Sequence, residues 1–223
     1  MPICLDHIFI CCDPGGLEAD ALVALGLREG TRNVHPGQGT ANRRFFFHGG
    51  FIELLWVHDA VESQSALTAP TRLWERWSAR QTGACRFGVA FSPSGSSVPE
   101  PPFDAWPYRP AYLPPDKVIW FAQHTTLSEP ELFYMAWAQP QGSTNNQPRE
   151  HDAALVRLLS ASVGLPEGTP LSPASLAVQS AGLLGFHTSH RPELLLRFDA
   201  HNDVVFDLRD KLGLLLQGTS RPT

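Results

Sequence analysis

Two polar residues stand where an apolar strand would ordinarily have none. His7 lies inside LDHIFI (5–10), and Glu53 lies inside FIELLWV (51–57). Side chains alternate across a strand. His7 is therefore expected to share a face with Leu5, Phe9 and Cys11, and Glu53 with Phe51, Leu55 and Val57. A carboxylate on such a face needs a partner or takes up a proton. An imidazole and a carboxylate joined by strand pairing supply half of an ordinary divalent-metal site. The same pair can equally hydrogen-bond to each other or to a buried water, and the residues alone leave both readings open.

The second cluster is the loop HPGQGTANRR (35–44). It contains GQGTAN, but Asn42 stands where a dinucleotide fingerprint has its third glycine, and the loop leads into a strand. No nucleotide cofactor is expected. His35, Gln38, Thr40, Asn42 and one arginine could form a polar cavity mouth for a carboxylate, phosphate or enolate. The alternative is an exposed turn with solvated arginines. Arg43 and Arg44 point to opposite faces, so at most one lines a cavity. Arg44 is the candidate, expected to pair with Glu53 or an anion. Trp56, Trp120 and Trp137 are candidates to wall the cavity, and His124 is a further candidate contact. His151, Glu193 and Asp207 have ligand chemistry, but nothing in the sequence places them. His187 and His190 fall on opposite faces of a strand and read as surface or core residues. There is no GxSxG elbow, Walker loop or HExxH helix.

These residues must be held by short elements. Residues 3–12 read as a core strand. Asp13 and Pro14 suggest a helix start, with Leu17, Ala21 and Leu25 as an apolar stripe and Gly26 as the stop. Strand-like text follows at 27–34, 43–48 and 51–58, with Gly49 and Gly50 as a tight turn. The order is β, α, β, β, β. A helix is expected within 59–83, with Pro70 in its first turn and Leu73 and Trp77 on one face. Strands are expected at 85–91, 118–124 and 131–138. The eight prolines of 92–117 imply an irregular connection. Residues 139–150 read as a linker. The tail repeats the order, with strands near 153–163, 186–189, 193–199 and 204–208 and a helix from Ser172 to about Leu184. ELLLRFD (193–199) echoes ELLWVHD (53–59), which raises an internal repeat.

The net charge of −5 leaves no basic stripe for nucleic acid. No apolar run is long enough to span a bilayer. The first twelve residues lack the positive start of an export signal, so the expected compartment is the cytoplasm. Cys4, Cys11, Cys12 and Cys85 have no zinc spacing and read as buried free thiols.

LDHIFI, GLREG (26–30) and GFIELLWVHD (50–59) resemble the opening module of glyoxalase-like proteins of the vicinal-oxygen-chelate superfamily. The resemblance implies an α+β fold of repeated βαβββ modules, with curved mixed sheets around a cavity. It implies a glyoxalase-like domain over 1–138, with module one at 1–60 and a degenerate module two at 85–138. Residues 151–217 would be a further βαβββ-like module packed on it. It implies His7 and Glu53 as ligands of a divalent metal, with Glu53 also as proton carrier. The second half should supply a matching pair. At the place of His7 it has Arg86 or Gly88, and at the place of Glu53 it has Tyr134 or Ala136. Two functions follow: a metal-dependent lyase, isomerase or dioxygenase, or a metal-free protein that sequesters a small planar or anionic molecule. A homodimer is left open.

Overall fold

A computed structural model describes residues 2–138 and 146–220, so residues 139–145 of the expected linker lie outside the described residues. The first part of the chain forms β1 (Ile3–Cys11), α1 (Ala19–Ala24), β2 (Asn33–His35), β3 (Thr40–Phe47) and β4 (Gly50–Val57). Then come α2 (Ala60–Ser63), α3 (Leu73–Ser78), β5 (Phe87–Pro93), β6 (Ala105–Tyr108), β7 (Ile119–Ala122) and β8 (Glu131–Tyr134). These eight strands make one mixed sheet in the order β2-β3-β4-β1-β5-β8-β7-β6. Strand β1 runs parallel to β4, and β5 runs parallel to β8. The two halves meet through the antiparallel pair β1/β5. Each half therefore carries its first strand beside its last, as a βαβββ module does. The second half has irregular chain where the first has α1.

The rest forms β9 (Leu155–Leu165), α4 (Pro173–Ser180), β10 (Gly185–Thr188), β11 (Glu193–Ala200), β12 (Val204–Leu208), α5 (Arg209–Leu212) and β13 (Leu214–Ser220). Their order is β10-β9-β11-β13-β12. The expected single β, α, β, β, β run lacks β13. With β13 present, the sheet has two short halves, each with its first and last strand parallel, joined by the antiparallel pair β9/β11. The pairing pattern is that of β4-β1-β5-β8-β7 in the larger sheet. ELLLRFD lies on β11, the opening strand of a half, while ELLWVHD lies on β4, a closing strand. Their likeness is that of two apolar strands and does not mark the repeat.

The two sheets pack back to back. Ile8, Ile10, Phe45, Phe47, Leu54, Phe87 and Val89 from the first share one buried cluster with Val163, Leu194, Leu196, Phe198, Leu214 and Leu216 from the second. The turn between β3 and β4 is clamped to β9, with Leu158 N–H donating to His48 O at 2.8 Å. Gly49 there has φ +86°, and a Cβ would meet the Leu158 carbonyl oxygen at 2.6 Å, so glycine is required by both conformation and space.

Three expected elements differ. The helix expected over 14–26 is only α1, because Gly15 and Gly16 adopt φ +84° and +62° and turn the chain first. Its buried residues are Ala19 and Leu22, while Leu17 is 68% exposed. The helix expected within 59–83 is split into α2 and α3, with Arg72 at φ +57° capping the latter. Strand β6 arises inside the proline-rich connection, and Pro107 is tolerated there because β6 is a sheet edge. All four cysteines are free, and burial pushes the Cys11 thiol up to about 12. No helix among the described residues is long and apolar enough to cross a membrane.

Candidate functional site

The face of the large sheet turned away from the second sheet lines a cavity of about 780 Å³. Phe9, Leu55, Phe121, Phe133 and Met135 belong to a buried cluster there, separate from the one between the sheets. Among the described residues none beyond Ala138 lines this cavity, and residues from 111–138 complete it.

A backbone irregularity sets its polar end. The β1/β5 register shifts between Leu5 and His7, leaving Asp6 as an extra residue in the strand. Such a bulge changes the side-chain alternation. His7 and Phe9 face the cavity with Asp6, while Leu5 packs toward the core between the sheets. The expectation that Leu5 shares the face of His7 is thereby corrected. His7 Nδ1 lies 2.7 Å from Asp6 Oδ1. A carboxylate acceptor there favours the Nδ1–H tautomer and leaves Nε2 to the cavity. The imidazole stacks on Phe51 at 4.4 Å and meets the Phe133 ring edgewise at 5.5 Å, which fixes its plane. His7 Nε2 lies 3.5 Å from Glu53 Oε2, and Glu53 Oε1 accepts from Asn42 Nδ2 at 2.5 Å. Glu53 and Leu55 face the cavity because β4 alternates regularly.

The loop 35–44 forms the adjoining wall, with His35, Gln38, Asn42 and Arg44 all on the lining. Thr40 Oγ1 is shared by His35 Nδ1 and Gln38 Nε2, each at 2.8 Å. Burial pushes the His35 pKa below its usual value, with neighbouring Arg44 and His7 adding to the effect, so His35 is held neutral at pH 7. Arg44 is the cross-strand partner of Glu53, and burial lowers its pKa while Glu53 opposes that shift. Its guanidinium donates to Thr31 O at 2.8 Å, Thr31 Oγ1 at 2.7 Å and Asn33 Oδ1 at 3.2 Å, and among the described residues it forms no ion pair with Glu53. The preceding loop lies within easier reach than the carboxylate. Arg43, on the opposite face of β3, is buried against Glu29 and Asp20, at 2.6 Å and 2.7 Å.

Two candidates lie outside the cavity. Trp56 falls between Leu55 and Val57 on β4, so alternation turns it toward the core between the sheets, as it does Trp120 on β7. His124 is exposed past the end of β7 and lines a separate hollow with Arg72 and Gln123. His151 is bound to Phe46 O at 2.7 Å near the junction of the sheets, and Glu193 and Asp207 lie on the second sheet. Trp137 does line the cavity. Sequence reasoning missed Asp6 and Tyr112. Asp6 is adjacent to His7, and only the bulge lets both face inward. Tyr112 comes from the proline-rich connection, where no periodicity marks a direction. It packs on His35 at 4.7 Å and donates to Gln38 Oε1 at 3.4 Å.

The donor set can be tested against a divalent metal. His7 Nε2 and Glu53 Oε2 converge, but Glu53 Oε1 is taken by Asn42. On β8 and just past its end the cavity-facing residues are Phe133 and Met135, while Tyr134 and Ala136, expected at the counterpart of Glu53, turn into the core between the sheets. Phe133 pairs with Ala90 on β5 as Glu53 pairs with Phe9 on β1. The counterpart of the carboxylate is thus a phenyl ring. Among the described residues no three His, Cys, Asp or Glu side chains gather as a metal site. Two protein donors are too few for a tight site, and these residues do not fit one.

Residues 5–97 match the family model of the glyoxalase-like domain, as the sequence resemblance implies. No curated protein matches the chain by sequence. A hypothetical protein from Staphylococcus aureus is similar in structure at 10% identity and TM-score 0.56, over 98% of this chain and 100% of that one. That likeness shows a shared fold. A mutant 4-hydroxymandelate synthase from Streptomyces coelicolor aligns at 12% identity and TM-score 0.42, over 97% of this chain and 62% of that one. A xylose isomerase-like TIM barrel/4-hydroxyphenylpyruvate dioxygenase fusion protein aligns at 13% identity and TM-score 0.45, over 100% of this chain and 32% of that one.

Proposed function

We propose that the glyoxalase-like domain over residues 5–97, completed by the strands up to Ala138, binds a small planar molecule whose oxygen-bearing end meets His7 and Glu53 without a metal ion between them. One observation carries this reading. The carboxylate, imidazole and guanidinium groups of the lining, Asp6, His7, His35, Arg44 and Glu53, come from the first module, and the second contributes Ile119, Phe121, Phe133 and Met135 where a matching ligand pair would stand. Phe121 and Phe133 are stacked at 5.4 Å, a flat apolar wall suited to a ring. A largely apolar cavity with a few convergent polar groups is the usual form of a small-molecule site.

At the polar end the residues can bind oxygen atoms and move a proton. Asp6 orients the imidazole, His7 Nε2 accepts or donates, and Glu53 Oε2 stands within one atom's reach of it. Asn42 holds the Glu53 carboxylate in place, and Arg44 supplies positive charge on the same face. A second reading is a divalent-metal lyase, isomerase or dioxygenase, favoured by the 3.5 Å approach of His7 and Glu53. In that case the metal would supply Lewis-acid polarisation of two substrate oxygens.

Binding of catechol and benzoate, followed by tryptophan fluorescence, separates the two. Saturable binding is expected to persist unchanged after exhaustive chelation. His7→Leu is expected to weaken it by roughly 1.5–3 kcal/mol, the range for a hydrogen bond to a charged group. Binding that appears only after a divalent ion is added would replace the metal-free reading with the second one.

A further inference from the structure

A second cavity, of about 690 Å³, opens where the connection from α3 to β5 meets two loops of the second sheet. Among the described residues it shares no lining residue with the first. Its lining carries the cations Arg80, Arg86, Arg191, Arg209 and Lys211, against the carboxylates Asp13, Glu18 and Asp210. In a chain of net charge −5 this is a local excess of positive charge.

Each carboxylate has at least one oxygen engaged, and of their oxygens only Glu18 Oε2 is buried there without a partner. Asp13 accepts from Arg80, and Asp210 Oδ1 accepts from Arg191 Nη2 at 2.8 Å. Glu18 Oε1 accepts the Asp13 N–H at 2.9 Å. Arg209 is held by Asp207, outside the cleft, at 2.6 Å. That leaves Arg86 and Lys211. Among the described residues, no carboxylate lies within ion-pair distance of either. The Arg86 guanidinium is fixed by backbone carbonyls alone: Cys11 O receives Nε at 3.0 Å and Nη2 at 2.7 Å, and Lys211 O receives Nη1 at 3.2 Å. Those bonds use three of its five N–H groups. Burial lowers its pKa, and Glu18 opposes that shift from a distance. Arg80 Nε is also buried there without a partner.

Holding a cation out of water without an opposing charge is costly, and a bound anion removes that cost. A phosphate group brings about two negative charges and several acceptor oxygens, which suit guanidinium forks and an ammonium together. Among the described residues the lining has no Phe, Tyr or Trp on which a nucleobase could stack. We propose that this cleft binds a small phosphate-bearing anion such as pyrophosphate or a phosphate monoester, held by Arg86 and Lys211 with Arg191 released to it from the fully exposed Asp210. The cleft is walled by loops of both sheets, so the anion bridges them.

The test is calorimetric titration and thermal unfolding of the full chain with pyrophosphate and with inorganic phosphate, against sodium chloride at matched ionic strength. Saturable heat and a rise in Tm are expected with pyrophosphate, and a smaller rise with phosphate. Lys211→Met, an exposed change that leaves the Arg86 bonds to carbonyls intact, is expected to weaken pyrophosphate about tenfold, or about 1.4 kcal/mol. Arg86→Met is expected to abolish binding if it folds, and the Lys211 variant carries the test if it does not. Catechol binding in the first cavity should be unchanged by Lys211→Met. A Tm response no greater than that of chloride, or equal pyrophosphate affinity in Lys211→Met and the parent, would overturn the assignment.

Discussion

Replacing Arg76 by methionine lowers the unfolding free energy by about 3–5 kcal/mol, the range for removing one partner of a buried ion pair. Arg76 lies on α3 and is 1% exposed. Its Nη1 donates to Cys85 O at 2.5 Å and to Glu129 O at 2.8 Å, and its Nη2 to Glu131 Oε2 at 3.3 Å. It therefore ties a helix to the beginnings of β5 and β8, and β8 carries Phe133 of the apolar cavity wall. Methionine keeps the bulk but leaves two carbonyls and a carboxylate without their donor. Burial already raises the Glu131 pKa, and Arg76 opposes that rise. A carboxyl group with a raised folded pKa contributes stability at low pH and loses it as pH climbs through the folded value. Without Arg76 that value climbs further, so the deficit of the variant is greatest at neutral pH and shrinks on acidification. Urea unfolding at neutral and mildly acidic pH measures both effects, and adding Glu131→Leu to Arg76→Met should recover part of the loss. A deficit under about 1 kcal/mol, the scale of an exposed pair, would mean that the ion pair carries no net stability.

Phe133→Glu creates a divalent-metal site. The Phe133 ring lies 5.5 Å from the His7 imidazole and occupies the counterpart of Glu53 in the second half of the sheet. A carboxylate there would join His7 and Glu53 as a third donor, the number found in open catalytic zinc sites. Zinc affinity, measured by competition with a chromogenic chelator, should rise by more than the roughly 10- to 100-fold that an outer hydrogen-bond partner of a ligand is worth. The same variant should lose aromatic ligands, because the flat wall is gone. Unchanged zinc affinity in a folded variant would show that the two halves do not converge on a shared metal position.

The strands that carry His7 and Glu53 were readable because each is a short, strongly apolar run broken briefly, by Asp6 and His7 in one and by Glu53 in the other. The loop 35–44 announced itself through its glycines and clustered amides. What escaped was everything set by a one-residue change of phase. The bulge at Asp6 turns Leu5 away and brings Asp6 in, and neither residue's type reveals it. Trp56 was expected at the cavity although its own neighbours, Leu55 and Val57, lie on the alternate face. In the second half the phase of β8 decided the matter, since Phe133 rather than Tyr134 faces His7. Strand β6 hid among prolines that only an edge strand accepts. Helix α1 was overextended because the Pro14 signal outweighed two glycines that turn the chain. Strand β13 went unseen, and with it the pairing by which the smaller sheet repeats the larger one.

The uneven division of the first cavity has a consequence for how such a protein changes over generations. Side chains such as Leu113, Ile119 and Met135 can drift in size and shape while Phe133, which packs on His7, and the array of Asp6, His7, Asn42 and Glu53 stay as they are. Under the proposed function, selection could therefore retune which molecules fit and how protons move separately, the first by swapping aliphatic bulk in one half, the second by single polar replacements in the other.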